Sequence, residues 1–300
     1  MRFLFVDRIL QLSPGEIARG IKHITRDDAY LCHDEQGRLC FIPSLIGETL
    51  GQLAAWNVMF ANDFTLRPVA GVVSSARLHR PAYVGETLFL ESVIESLDNR
   101  AVQYNSIAYV GDEVVFTIDG ALGPLLPMAG FIDEQIVRRQ FAEINRPGDW
   151  SQRQALTSNS ELASELASAK AGLPVSQMLF DRILDSEPGV SLTAEKCITR
   201  AASYFNDHFP NNPVLPMTVL LECKLNLARE FIARASFNQC YQVSELRKIK
   251  MNEFVHPGSV LITHLKVKEQ NDQQLILHYR SEVDGKRVCV LDLVMTTKGN

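Results

Sequence analysis

No stretch of the sequence approaches about 18 uninterrupted apolar residues, so no membrane-spanning helix is encoded. The six cysteines (Cys32, Cys40, Cys197, Cys223, Cys240, Cys289) lie scattered without a C-x-x-C pair. Reduced thiols and no metal site are therefore expected. Positive charge is not in excess either. Thirty Lys and Arg against 35 Asp and Glu give a net charge of −5, which argues against a general polyanion binder and against nucleic acid as a partner. The opening Met1-Arg2-Phe3-Leu4-Phe5-Val6-Asp7-Arg8 turns charged too soon for an export signal, so a cytoplasmic location with no membrane partner is expected. What remains is an ordinary globular composition, 46% hydrophobic and 22% charged. The 300 residues are enough for two compact units at roughly 150 each.

The two units are copies. Asp7-Arg8-Ile9-Leu10 recurs in the second half as Asp181-Arg182-Ile183-Leu184. The same offset carries Pro14-Gly15 onto Pro188-Gly189, Ile24-Thr25-Arg26 onto Ile198-Thr199-Arg200, Tyr30 onto Tyr204 and Glu48 onto Glu222. Between positions 7 and 54 there are 14 identities in 48 ungapped positions, against about three expected by chance from average residue usage. A tandem duplication predicts a first unit over residues 1–129, a connector over 130–174 and a second unit over 175–300.

Each unit carries the same elements. An apolar helix is expected from Ser44 to about Ala61 and from Thr218 to about Ala235, with Ser44 and Thr218 as N-caps. Helices apolar on several faces are buried ones. Strand patterns follow over Gly71–His79, Glu86–Ser96, Ala101–Val110 and Glu113–Leu122, and again over Gln242–Lys250, Ser259–Glu269, Gln274–Val283 and Arg287–Thr296. The expected unit is α+β, a four-strand antiparallel meander wrapped round one buried helix. The connector predicts an amphipathic helix over Ile132–Ile144, a break at Arg146-Pro147-Gly148 and a Ser/Ala-rich stretch from Thr157 to Gly172.

Two carboxylates interrupt the apolar helices at equivalent places, Glu48 and Glu222, both expected in the first turn. A buried acid without a partner is costly, which marks both as candidates for chemistry. The plain alternative is a helix dipole favouring an acid near its N-terminus. Fourteen residues before Glu222 stands His208, in the three-proline loop His208-Phe209-Pro210-Asn211-Asn212-Pro213-Val214-Leu215-Pro216.

That loop, with an acid fourteen residues after the His, resembles the bacterial β-hydroxyacyl-[acyl-carrier-protein] dehydratases of the hotdog fold. Those proteins read H-F-P-G-x-P-x-x-P-G ahead of a helix bearing Glu or Asp and, four residues later, Gln. Phe180-Asp181-Arg182-Ile183-Leu184 and Phe5-Val6-Asp7-Arg8-Ile9-Leu10 also look like that family's N-terminus. The resemblance implies a double hotdog, two family units fused so that one chain mimics the usual dimer. It also implies that base and acid at one site come from different units.

The halves have kept different parts of the pattern. Asp34 stands where the second half has His208, and His33 beside it is off register. Glu48-Thr49-Leu50-Gly51-Gln52 keeps the acid and the Gln, whereas the second half reads Glu222-Cys223-Lys224-Leu225-Asn226. The resemblance therefore pairs His208 with Glu48, oriented by Gln52, and leaves Asp34 with Glu222 as a degenerate second site. Phe209 and Pro216 support the loop, and the backbone N–H of Met217 is the implied oxyanion donor. Met217 and Asn211 both replace usual glycines, so the acyl channel is reshaped or activity is lost.

A neutral His can take the proton beside a thioester carbonyl, and a carboxylic acid with a raised pKa can protonate the departing hydroxyl. The expected function is dehydration of a 3-hydroxyacyl thioester to a trans-2-enoyl thioester in fatty acid, polyketide or polyene synthesis, with no cofactor. The expected partner is acyl carrier protein, met by the basic runs Arg77-Leu78-His79-Arg80 and Arg247-Lys248-Ile249-Lys250 unless these are charged strand edges. A homodimer, through the connector, or a synthase partner is the further possibility. The rival functions are a hotdog thioesterase, an enoyl-CoA hydratase, and a catalytically silent subunit of a synthase complex.

Overall fold

The computed structural model describes residues 3–25, 28–148, 178–198, 202–235, 237 and 239–297. The expected Ser/Ala-rich stretch lies outside them. Strands β1 (Arg8–Ser13) and β2 (Ile17–His23) form an antiparallel hairpin whose turn needs Gly15 at φ +73°. Gly189, at the equivalent place of the sequence repeat, has φ +74°, so the two hairpins share a left-handed glycine. A short hairpin of β3 (Leu31–His33) and β4 (Leu39–Phe41) then leads into α1 (Pro43–Ala61). The first half continues with β5 (Leu66–Pro68), β6 (Val72–Leu78), β7 (Thr87–Leu97), β8 (Ala101–Val110), β9 (Glu113–Pro127) and α2 (Glu134–Ile144). The second half comprises β10 (Arg182–Glu187), β11 (Ser191–Cys197), α3 (Met217–Ala235), β12 (Tyr241–Met251), β13 (Val260–Gln270), β14 (Gln274–Val283) and β15 (Lys286–Thr297).

All the long strands join one antiparallel sheet in the order β1-β2-β7-β8-β9-β6-β12-β15-β14-β13-β11-β10, with β5 added on β9. The order reads the same from either end once equivalent strands are matched. This corrects the expected four-strand meander: in each half three strands run in sequence, and the strand before them sits on the far side of the last, as β6 does on β9. That placement brings β6 and β12 together at the centre, with Ala76 opposite Leu246 and Val73 opposite Ile249.

The helices α1 and α3 pack against each other and against this sheet. One contiguous core takes in Leu45, Leu50 and Leu53 of α1 together with Leu220, Leu227 and Phe231 of α3. Each such side chain contributes about 1.5–3 kcal/mol on burial, and here the two halves share that burial.

Both helices begin earlier than expected, and neither Ser44 nor Thr218 is an N-cap. Pro43 occupies the first turn of α1 with Ile42 as the cap, because proline supplies a preset φ and has no N–H to satisfy. Ser44 Oγ is buried without a partner, and Thr218 is the second residue of α3. Glu48 and Glu222 consequently lie beyond the first turn, where the dipole explanation weakens. The connector helix starts at Glu134 rather than Ile132, because the Asp133 side chain accepts the Gln135 and Ile136 amides.

The basic runs are not sheet edges either. Arg77 on β6 and Arg247 on β12 both donate to Glu245, at 3.0 and 2.8 Å, and Ser75 Oγ donates to it at 2.7 Å. Arg80 bonds Glu86 and Glu113. Much of this positive charge is spent inside the protein, and only Lys248 and Lys250 of the second run stand exposed without a partner among the described residues.

Candidate active site

A cavity of about 220 Å³ opens between the two helices and the central strands, with a mainly apolar wall that includes Trp56, Met59, Phe116, Leu221 and Leu246. Glu48, Gln52, His208, Phe209, Met217 and Thr218 line it too. The fold thus delivers to one place the loop of the second half and the helix of the first.

His208 is held by its loop. Its Nδ1 lies 3.0 Å from the Val214 carbonyl oxygen, which can only accept, so Nδ1 carries the proton and Nε2 is left as the basic nitrogen. Burial pushes its pKa below the ordinary histidine value, and the Glu48 charge opposes that shift. The Phe209 ring stacks on the imidazole with centroids 4.1 Å apart, and edge contacts with Phe131 pack Phe209 in turn. Pro216 is buried at the end of the loop, and Met217 follows as the first residue of α3, half-buried on the cavity wall. As the first helical residue, Met217 has an N–H with no intrahelical acceptor.

Glu48 is gripped at both oxygens. Gln52 Nε2, one helical turn on, donates to Oε1 at 3.0 Å, and Thr218 Oγ1 from α3 donates to Oε2 at 2.9 Å. Gln52 is itself fixed by the N-terminal segment, donating to the Phe3 carbonyl at 3.1 Å and accepting from the Phe5 amide at 2.9 Å. Each carboxyl oxygen accepts one bond and keeps a second position, enough to carry a proton toward the cavity.

Glu222 faces elsewhere. It is buried, its Oε2 has no partner, its Oε1 is 3.7 Å from Arg229, and it is not part of the cavity wall. Its charge falls instead on Cys32 and Cys40, which oppose each other across the β3–β4 hairpin with sulfurs 3.6 Å apart. Asp34, at the tip of that hairpin, accepts from the Gln36 and Arg38 amides, the Arg38 side chain and the Tyr83 hydroxyl. Burial pushes the Asp34 pKa up, but these bonds outweigh it and hold the group below the usual range. His33 is exposed. Where the second half has the His-Phe-Pro loop, the first half has a self-bonded hairpin.

A family model described as ApeI-like, ApeI dehydratase, matches residues 185–290. The 3-hydroxyacyl-[acyl-carrier-protein] dehydratase FabZ of Shewanella woodyi is 32% identical over 123 residues, covering 39% of this chain and 80% of that protein. FabZ of Nitrosospira multiformis is 30% identical over 126 residues, covering 40% of this chain and 86% of that protein. The chain belongs to the FabZ dehydratase family. The FabZ match spans about one unit's worth of the sequence. A proposed oleoyl thioesterase from Lactobacillus plantarum matches the whole architecture, with a TM-score of 0.57 at 10% identity over 96% of this chain and all of that one. At that identity it shares the fold alone.

Three residues of the site had no warning in the sequence of this FabZ relative. Thr218 reads as a cap but bonds Glu48. Tyr104, on β8, lines the cavity, and burial together with the Glu48 charge pushes its phenol up to about 12. Arg67, on β5, also lines it, and nothing in the triplet Leu66-Arg67-Pro68 marks it out. No group of three or more metal-ligating side chains occurs among the described residues, and no helix there is long and apolar enough to cross a membrane.

Proposed function

We propose that this protein dehydrates a 3-hydroxyacyl thioester carried on acyl carrier protein, at one site built from both halves of a double hotdog. The halves are the units 1–129 and 175–300. The observation that carries the reading is that Glu48, and not Glu222, shares the cavity and the electrostatic field of His208.

His208 Nε2 removes the proton from the carbon beside the thioester carbonyl. Its lowered pKa keeps it neutral, and so competent as a base, at neutral pH. Negative charge then builds on the carbonyl oxygen, and the free N–H of Met217 at the start of α3 receives it. Glu48, oriented by Gln52 and Thr218, delivers a proton to the departing hydroxyl so that water leaves. The C2–H and C3–O bonds break, the C2–C3 double bond forms, and a proton passes from His208 back to Glu48 through water before the next turnover. The largely apolar cavity wall accommodates the acyl chain.

The second site does not turn over in this reading. Asp34 is taken up by its own hairpin, and among the described residues no histidine partners Glu222. Lys248 and Lys250 of β12 are exposed cations that an acidic carrier protein could meet.

The test is to incubate the purified protein with 3-hydroxyacyl carrier proteins of several chain lengths and record both enoyl ultraviolet absorption and free thiol. Enoyl absorption without thiol release is the expected result. Thiol release would make the protein a thioesterase, and neither signal would make it a silent subunit.

A further inference from the structure

Glu48, Asp207, Arg229 and Glu245, charged residues on the cavity wall, each have a hydrogen-bond or ion-pair partner in the protein. Arg67 has none among the described residues, and its Nε is fully buried. Burial lowers its pKa to about 9, with Glu48 opposing, so the group remains a cation at neutral pH. The guanidinium carbon sits 3.7 Å from the centroid of Phe209 and 5.7 Å from that of Phe131. Stacking on rings satisfies the faces of a guanidinium and leaves its in-plane N–H donors to other partners, and here the buried Nε–H has none. Cation–π contacts offset only part of the cost of burying a cation, so the buried Nε–H still calls for an acceptor.

The position of this cation relative to the base is fixed by Phe209. The imidazole of His208 lies over one face of that ring at 4.1 Å, and the Arg67 guanidinium lies over a face at 3.7 Å. Two planar groups cannot share one face at those distances, so they take opposite faces. Arg67 therefore stands one aromatic ring beyond the base, close enough that its charge adds to burial in lowering the imidazole's pKa. His208 and Arg67 line the same cavity, so a ligand whose reacting carbons lie at His208 shares that space with this fork.

We propose that Arg67 is the receptor for a second oxygen acceptor of the substrate, a carbonyl or carboxylate oxygen a few bonds from the reacting carbons. This rests on the thioester reading of the same site. The acceptor has two possible sources with the same chemistry, an amide carbonyl of the pantetheine arm or an oxygen on the acyl chain itself. Either makes the protein a selector of oxygen-bearing ligands, because an alkyl group laid against Arg67 leaves its donors unpaired.

The experiment measures equilibrium binding of three unreactive amide analogues, in which nitrogen replaces the thioester sulfur, to the wild-type protein and to Arg67→Met and Arg67→Lys. One analogue is a 3-hydroxyalkanoyl group on the full pantetheine arm. The second carries the same acyl group on a plain propyl amide, and the third is that propyl amide with a carboxylate at the acyl terminus. The expected result is a roughly 10- to 100-fold weakening by Arg67→Met for the first analogue or the third, against the second as reference, the range of hydrogen bonds to a charged group. Loss with the first assigns the pantetheine arm, and loss with the third assigns the acyl chain. Partial recovery by Arg67→Lys, which restores charge without the fork, is expected in either case. Equal affinity of wild type and Arg67→Met for all three overturns the proposal. Should Arg67→Met fail to fold, a weakening below threefold in Arg67→Lys for every analogue overturns it as well. Turnover of 3-hydroxyacyl carrier protein by the same wild-type preparation is recorded alongside. Arg67-dependent binding without any enoyl product overturns the dehydratase reading and leaves the receptor standing.

Discussion

Thr218 Oγ1, at the start of α3, donates a 2.9 Å hydrogen bond to Oε2 of Glu48 on α1. This bond joins the helices of the two halves beside His208. Thr218→Val keeps the shape and removes the donor. A hydrogen bond to a charged group is worth about 1.5–3 kcal/mol, and Glu48 becomes a carboxylate as it gives up its proton, so kcat/KM falls by about tenfold or more while the fold is retained. Unchanged kcat/KM in this variant would remove the helix–helix bond from the mechanism.

The pH profile reports on His208. A base buried as the neutral form has its folded pKa below the ordinary value of 6.5, and the Glu48 charge only moderates this. The acidic limb of kcat/KM is therefore expected at an apparent pKa below 6.5, a value that belongs to the His208–Glu48 pair. Native stability falls in the same direction, because the unfolded chain binds the proton first as pH drops. An acidic limb above the ordinary histidine value contradicts the burial argument.

Met217 lines the cavity at the first position of α3, where the family carries glycine. Met217→Gly keeps the N–H and empties side-chain space, at a helix cost of at most about 1 kcal/mol at this end position. Turnover is expected to persist, with kcat/KM rising for bulkier acyl groups relative to short ones. A drop of many degrees in unfolding temperature together with lost activity would make Met217 a packing residue instead.

Glu245 fastens the seam between the halves. Burial pushes its pKa up, but hydrogen bonds from Arg247, Ser75 and Arg77 overcome that and bring it down to about 2. A depressed carboxylate contributes stability that is present above its unfolded value, 4.5, and lost as pH falls toward 2. Wild type and Glu245→Gln should therefore differ most in unfolding temperature above pH 4.5, with the gap closing on acidification. A gap that is constant with pH rules out titration of Glu245 as its source.

Repetition was the most legible feature of this chain. The DRIL repeat, the paired Pro-Gly turns and the long apolar helices place most elements within a few residues, because hydrophobic periodicity and turn chemistry are local. What the sequence hid was non-local. Nothing near Val72–Leu78 says that this strand crosses to the far side of β9 and meets β12, since that pairing is decided by packing over two helices. Likewise Arg77 and Arg247 look like surface charge until Glu245 is seen between them. Of the residues that line the cavity, His208, Glu48 and Gln52 were named in advance by the family resemblance. Thr218, Tyr104 and Arg67 were not, because each reaches the cavity through the fold, with no spacing that names its partner.

Glu222 follows His208 closely within the same half, whereas Glu48 belongs to the other half of the chain, and the chemistry is assigned to the distant one. The decisive measurement is kcat for Glu48→Gln and Glu222→Gln in one assay with a 3-hydroxyacyl carrier protein. Both changes keep shape and remove the acid. Loss of a general acid costs about 10²–10⁴-fold, and that loss is expected in Glu48→Gln, with Glu222→Gln close to wild type. A crippled Glu222→Gln beside a nearly silent Glu48→Gln would contradict the cross-half site.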